Sequence, residues 1–435
     1  MLTTAAKPFV KLVDRYLPDP FVIVLLLTLL VFVAAMVFQQ QAPMTVIGYW
    51  GDGFWSLLTF AMQMMLVLVT GFMLATTPLV QAGLDRLASR VQTAGQAIVL
   101  VTVVALVASW LNWGFGLVVG AFFAKALARR IRVDYRLLVA SAYSGFVIWH
   151  GGLAGSVPLT IATEGHFTES LIGVIPTSQT IFAGFNLTLT LLLLVLIPLV
   201  NRLMLPKDED TFLVDAKVLQ PLATEQPDAN RPADKLEQSR WLGWLFGGLG
   251  LLYLLSYFYQ QGGLNLNSVN FLFLFAAILL HQSPRNLLNS LQQAISGSAG
   301  ILLQFPFYAG MMAVMVQSGM AQSLSQFFVG LASSDSLPFW SFISAGIVNI
   351  FVPSGGGQWA VQAPIMLPAA LELGADIERV AMAIAWGDAW TNLIQPFWAL
   401  PVLAIAGLKA KDIMGFCLVQ LVITGVIISL VLSFV

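Results

Sequence analysis

Long apolar runs alternate along the chain with short polar breaks, and most runs approach the roughly 20 residues an α-helix needs to cross a bilayer. Full spans are predicted near 20–38, 55–77, 138–163, 179–203, 241–260, 267–283, 296–317, 379–406 and 412–434. Two further runs, 98–128 and 337–371, are long enough to enter and return, and each is interrupted near its middle by glycine or proline. They read as re-entrant hairpins. The run Phe21–Phe38 follows Lys7, Lys11 and Arg15 as a secretion signal would, but it is longer than the roughly 7–15-residue core of one and reads as a retained first span. The expected fold is an all-α polytopic membrane protein with about nine full spans plus two hairpins.

From Pro206 to Arg240 the pattern turns polar, with Asp208, Glu209, Asp210, Glu225, Asp228, Asp234 and Glu237. This marks a connector. The chain therefore divides into an N-terminal transmembrane half (1–204, hairpin 98–128, broken helix 138–163), a cytoplasmic linker (205–240) and a C-terminal half (241–435, hairpin 337–371, broken helix 379–406).

The halves match each other in three places. Thr70-Gly71-Phe72-Met73 resembles Ala309-Gly310-Met311-Met312, Leu111-Asn112 resembles Val348-Asn349, and Leu153 to Pro158 resembles Thr391 to Pro396, at offsets of 237 to 239 residues. Positive charge then sets orientation, because Lys and Arg gather in short cytoplasmic loops. If both interrupted runs are hairpins, Lys7, Lys11, Arg15, Arg86, Arg90, the Arg129–Arg136 cluster, the linker, Arg285, Lys409 and Lys411 share one face; Arg379 lies opposite and Lys125 within a hairpin arm. The N-terminus is then cytoplasmic, the C-terminus periplasmic, and the halves are inverted repeats, as in many secondary transporters.

Composition narrows the function. The 435 residues are 58% hydrophobic and 9% charged, with a net charge of −1 and no basic stripe for nucleic acid. The single cysteine, Cys417, lies in an apolar run, and the histidines His150, His166 and His281 fall in different segments, so no metal site is expected. No catalytic or ATP-binding motif points to an enzyme.

A broken helix survives in a membrane only where it is buried or lines a cavity, so each break is a candidate site. The hairpin breaks hold Asn112, Gly114 and Gly116 in one half and Asn349, Ser354, Gly355, Gly356 and Gly357 in the other. Glycines there let backbone amides approach a carboxylate, although glycines also serve helix packing. The broken spans offer Ser156 before Pro158, and Thr391, Asn392 and Gln395 before Pro396, as oxygen ligands for a coupling cation. Asp388 and His150 are further ion-coupling candidates, since an ionisable group inside a span usually marks a pathway.

Four strings are specific enough to carry a resemblance: Trp50-Gly51-Asp52-Gly53-Phe54-Trp55, Asn112-Trp113-Gly114-Phe115-Gly116-Leu117-Val118-Val119-Gly120-Ala121, Val352-Pro353-Ser354-Gly355-Gly356-Gly357 and Gln395-Pro396-Phe397-Trp398-Ala399-Leu400-Pro401. With them, nearly end to end, the chain resembles the bacterial short-chain fatty acid transporters of the AtoE type. The resemblance implies uptake of a carboxylate such as acetoacetate or butyrate across a bacterial inner membrane, and a place among ion-transporter families that pair hairpins with broken helices, often as homodimers moving by an elevator mechanism. His150 stands where that pattern favours glycine. The expectation is symport with H⁺ or Na⁺, with membrane lipid and a carboxylate as partners, no cofactor, no nucleic acid and no resident metal. A channel or facilitator for small carboxylates and, more remotely, an integral membrane enzyme are the competing readings.

Overall fold

The computed structural model describes residues 20–215, 217–219, 231–260, 262–352 and 354–434. Lys7, Lys11, Arg15, Pro353 and the linker acids Glu225 and Asp228 lie outside the described residues.

Among the described residues every regular element is helical. The N-terminal half holds α1 (Pro20–Phe38), α2 (Pro43–Gly53), α3 (Leu58–Ala75), α4 (Pro78–Ala88), α5 (Ala94–Leu111), α6 (Trp113–Ala128), α7 (Tyr135–Ser144), α8 (Ser156–Ile161), α9 (Glu169–Ile172) and α10 (Gly184–Leu203). Beyond the short α11 (Pro232–Glu237) follow α12 (Arg240–Tyr259), α13 (Leu266–His281), α14 (Pro284–Gln317), α15 (Met320–Leu331), α16 (Leu337–Phe351), α17 (Gly355–Leu373), α18 (Ile377–Asn392), α19 (Pro396–Ala406) and α20 (Ala410–Phe434). Seven helical segments among the described residues are long and apolar enough to cross a membrane, and α5, expected as a hairpin arm, is one of them. Length alone therefore does not separate a span from a hairpin arm.

Burial sorts these segments into two populations. In the segment Tyr135–Ile161, 94% of the apolar window is buried, against 22% for Phe21–Phe38 and 22% for Pro232–Tyr259. The outer helices carry exposed apolar side chains, Leu26, Leu29 and Leu30 on α1 and Trp244, Leu252 and Leu255 on α12, as a lipid-facing surface requires. The broken helix is the interior.

Small residues set the closest packing. On α12, Gly243, Gly247 and Gly250 recur at helical spacing and lie directly against Ile278, Leu279 and Phe275 of α13. Without a hydrophobic drive between helices in lipid, such close backbone approach supplies the contact energy. In the interior, Gly387 of α18 abuts the Phe342 carbonyl and Ala345 of α16, so the first arm of the second hairpin lies along the second broken helix.

Four helices depart from the expected pattern. α2, α4 and α15 have 11, 11 and 12 residues, too short to register as spans. α14 has 34 residues, about 50 Å of helix, and begins well before the expected span at 296–317 because its first turns are polar. α2 packs on it, with Gly53 against Ala313 and Gly310 against Trp50.

Candidate functional site

Each break has a local cause. α5 closes when Asn112 turns extended (φ −160°, ψ 127°), and the same residue starts α6 by accepting the Phe115 N–H on Oδ1 at 2.9 Å. Its Nδ2 donates to the Val67 carbonyl of α3 at 3.1 Å. In the second hairpin Ser354 is extended, and its Oγ accepts the Gly357 N–H at 3.3 Å to start α17. Both are side-chain N-caps, which satisfy donors that a helix start leaves free. Asn349, aligned with Asn112 in sequence, lies within α16 rather than at the tip.

At the broken spans the carbonyls of Gly151 and Asn392 find side-chain donors. After α7 the chain tightens into a 3₁₀ turn over Gly145–Gly151, opens at Gly152 and resumes at Ser156. The released Gly151 carbonyl accepts from Trp110 Nε1 (3.1 Å) and Asn186 Nδ2 (3.0 Å), and Trp386 Nε1 donates to Asn186 Oδ1 at 3.0 Å. On the other side α18 ends at Asn392, whose carbonyl accepts the Tyr143 hydroxyl at 2.5 Å.

Around that second break the predicted polar residues form one network. Asn349 Nδ2 donates to the Asp388 carbonyl (2.8 Å), Thr391 Oγ1 (2.9 Å) and Asn392 Oδ1 (2.7 Å). Asn392 Nδ2 donates to Asp388 Oδ2 at 3.1 Å, and Gln395 Nε2 donates to the Asn349 carbonyl. Across the interface His150 Nε2 stands 3.6 Å from Asp388 Oδ2, with side chains 0% and 1% exposed. By distance and angle, Asp388 Oδ1, Asn349 Oδ1, Gln358 Oε1, Gln395 Oε1 and the ring nitrogens of His150 have no hydrogen-bond partner among the described residues, although the Ala385 backbone faces the imidazole.

A small cavity of about 30 Å³ joins the breaks. Trp113 from the first hairpin, Ser156 and Trp149 from the first broken helix, Ser354, Gly355 and Gly356 from the second hairpin, and Trp398 from the second broken helix line it, with Met64, Gln304 and Phe305. Trp113, Trp149 and Trp398 pack on one another at centroid distances of 5.3 to 6.2 Å. The indole N–H groups of Trp113 and Trp149 are buried without a partner among the described residues. Buried donors at a cavity wall are normally paired, so these two suit an anionic acceptor. The imidazole lies immediately behind this wall, because a Cβ on Gly355 would collide with His150 Nε2.

The predicted glycines separate into two groups. Gly355 and Gly356 line the cavity, and Gly357 packs beside it on Tyr308. Gly114 and Gly116 do not line it: a Cβ there would strike Leu68 of α3 and Ser109 of α5, so these two serve helix packing. Pattern reading missed the tryptophans, Gln304, Tyr143 and Asn186. Their only sequence signal is a large or polar side chain well inside an apolar run, beside a break for Trp113, Trp149 and Trp398.

A larger cavity of about 650 Å³ lies between α1, α14, α15 and the second hairpin. Among the described residues, Gln39 and Ser323 are the only polar ones that line it. It offers no charged group for an anion, and the polar site lies elsewhere.

Comparison with known proteins accords with this geometry. A family model described as short chain fatty acid transporter matches residues 1–435. Two curated relatives share the printed name "Putative short-chain fatty acid transporter": one from Escherichia coli (strain K12) is 45% identical over 98% of both chains, and one from Haemophilus influenzae is 43% identical over 100% of both. Among solved structures the chain is similar to the Alcanivorax borkumensis YdaH transporter, with a TM-score of 0.56 at 16% identity over 95% of this chain and 98% of that one.

Proposed function

Because the chain belongs to the short chain fatty acid transporter family, we propose that it takes up small carboxylates, acetoacetate and butyrate among them, by cation-coupled symport across a bacterial inner membrane. It is a multi-pass membrane transporter and not an enzyme. The observation that carries the proposal is the convergence of all four breaks on one cavity whose wall holds two unpaired indole donors.

Entry of an anion into a negative-inside cell costs about 2.3 kcal/mol per 100 mV, and one accompanying cation cancels that cost. In this reading Trp113, Trp149 and the Ser354–Gly356 tip hold the carboxylate, while Asp388 and His150 lie next to it for ion coupling. A cavity near 30 Å³ has room for a water molecule or two but not for a four-carbon acid. The hairpin tip must therefore shift to admit substrate. The halves act as inverted units, with an elevator movement of the hairpins and broken helices against the outer helices, and two chains form a dimer. Proteoliposome uptake of a labelled carboxylate panel, with H⁺ and Na⁺ gradients imposed separately, tests the reading. Saturable uptake restricted to short chains and driven by one gradient is expected; linear, unsaturable flux would make the protein a channel.

A further inference from the structure

We infer that Phe305 and Met64 set the chain length the carrier accepts: the carboxylate is held on the hairpin side of the small cavity, and these two side chains stop its hydrocarbon tail on the other. The inference names the specificity-determining residues of the site proposed above and rests on that transport reading.

The walls of this cavity differ in chemistry. Its unpaired donors, the indole N–H groups of Trp113 and Trp149, belong to the first hairpin and the first broken helix, and Ser354, Gly355 and Gly356 belong to the tip of the second hairpin. Met64 and Phe305 belong to α3 and α14, two continuous helices packed on one another. Neither side chain carries a hydrogen-bond donor. A carboxylate therefore turns its charge toward the indoles and the tip, and its tail meets the methionine and the phenyl ring.

The stop is close to the tip, and it is braced. A Cβ on Gly356 would lie 2.7 Å from Phe60 Cζ and 3.3 Å from Phe305 Cζ, so the far ends of both rings already touch the tip. Phe305 packs edge-on against Phe60 at a centroid distance of 5.7 Å and against Tyr308 at 5.9 Å, and Phe60 in turn packs on Phe167 at 5.7 Å. The Tyr308 ring lies against Gly357, and its hydroxyl donates to Gln304 Oε1 at 3.4 Å. Met64, Phe305 and Tyr308 are all buried. Rings held on several sides at interior packing density have no empty space to turn into.

When the hairpin tip shifts to admit substrate, the space gained lies between the tip and this wall, and the wall itself stays on α3 and α14. Each methylene of the tail then gains about fourfold in affinity for as long as it finds open apolar surface. Once the tail reaches the braced rings, a further methylene has to displace them, and overpacking reverses the gain. Affinity should thus rise from acetate to butyrate and fall by hexanoate. A yielding wall would instead give a steady rise with chain length.

The test uses the purified full chain in liposomes, with counterflow of labelled acetoacetate in the absence of any ion gradient and protein-free liposomes as the leak control. Unlabelled acetate, butyrate, hexanoate and octanoate, equilibrated on both sides, compete in turn, and the concentration that halves the rate is read for each. In the wild type hexanoate and octanoate should be at least tenfold weaker than butyrate. Phe305→Ala should improve hexanoate relative to butyrate at least tenfold, since two methylenes regain about fourfold each, and Met64→Phe should weaken butyrate relative to acetate. Phe305→Leu, which leaves a smaller gap in the core, should give an intermediate shift. Ratios between acids, unlike rates, do not move when a substitution merely loosens packing, and quenching of tryptophan fluorescence by the same acids gives them for a variant that binds without transporting. A wild type that accepts octanoate as readily as butyrate, or an unchanged order of acids in Phe305→Leu and Met64→Phe, overturns the assignment and leaves carboxylate transport standing. Absence of wild-type counterflow overturns both.

Discussion

Asn349 is the residue on which the second break depends, since one amide nitrogen serves three acceptors. Asn349→Ala would remove the donor from Asn392 Oδ1 and loosen the contacts to Thr391 and the Asp388 carbonyl, a buried polar group left unpaired costing about 1–3 kcal/mol; a lower unfolding temperature in detergent and loss of uptake are expected together. Gly355→Ala places a methyl group on His150 and Trp149. Uptake should fall at least tenfold, whereas Gly248→Ala, with open space around it, should behave as wild type. Trp149→Phe keeps the ring and removes the unpaired N–H, so the KM for carboxylate should rise about tenfold, the worth of one hydrogen bond to a charged group. At this scale the sequence exposed Asp388, Asn349, Thr391, Asn392 and Gln395, because polar side chains within apolar runs stand out. It did not expose Trp113, Trp149 and Trp398, since tryptophan in a membrane chain reads first as an interfacial anchor, nor Gln304, which lies on a helix without a break.

Between elements, close backbone approach and a few ion pairs decide the geometry. Gly247→Leu would drive a side chain into the backbone of Leu279 and separate α12 from α13; overpacking of this kind costs about 1–3 kcal/mol and should show as a lower unfolding temperature. Where the linker meets the membrane half, Asp234 accepts from Arg231 at 2.9 Å and from Arg285 at 3.0 Å, and Arg285 also binds Glu237 at 2.6 Å. The Arg231 hydrogen bonds hold the Asp234 carboxyl well below the usual carboxylate range. Its stabilising contribution is therefore present above an ordinary carboxylate pKa and fades as pH falls below about 4. The gap in unfolding temperature between wild type and Asp234→Asn should be widest near neutrality and shrink below about pH 4. Hydropathy located the breaks well, because glycine and proline interrupt apolar runs visibly. It missed α2, α4 and α15, whose short amphipathic pattern falls below the length of a span, and the polar first turns of α14.

At the scale of the whole molecule, the post-break segment of each broken helix packs on the second hairpin arm of the other half, α8 on α17 and α19 on α6. The two halves thereby close on a single cavity. An apolar pattern cannot reveal that meeting, because it records which residues avoid water and not which faces touch. The self-match between halves identified the paired breaks, but it aligned Asn112 with Asn349, one a helix cap at a tip and the other a turn short of it. The central claim is that this cavity is the route of the carboxylate. Counterflow of labelled acetoacetate in liposomes, wild type beside Gly356→Leu, tests it most directly, because Gly356 lines the cavity and the added side chain would meet Phe60 and the lining residue Phe305. Saturable counterflow in the wild type, reduced at least tenfold in a variant that keeps its unfolding temperature within a few degrees, is the predicted result; undiminished counterflow in such a variant would contradict it.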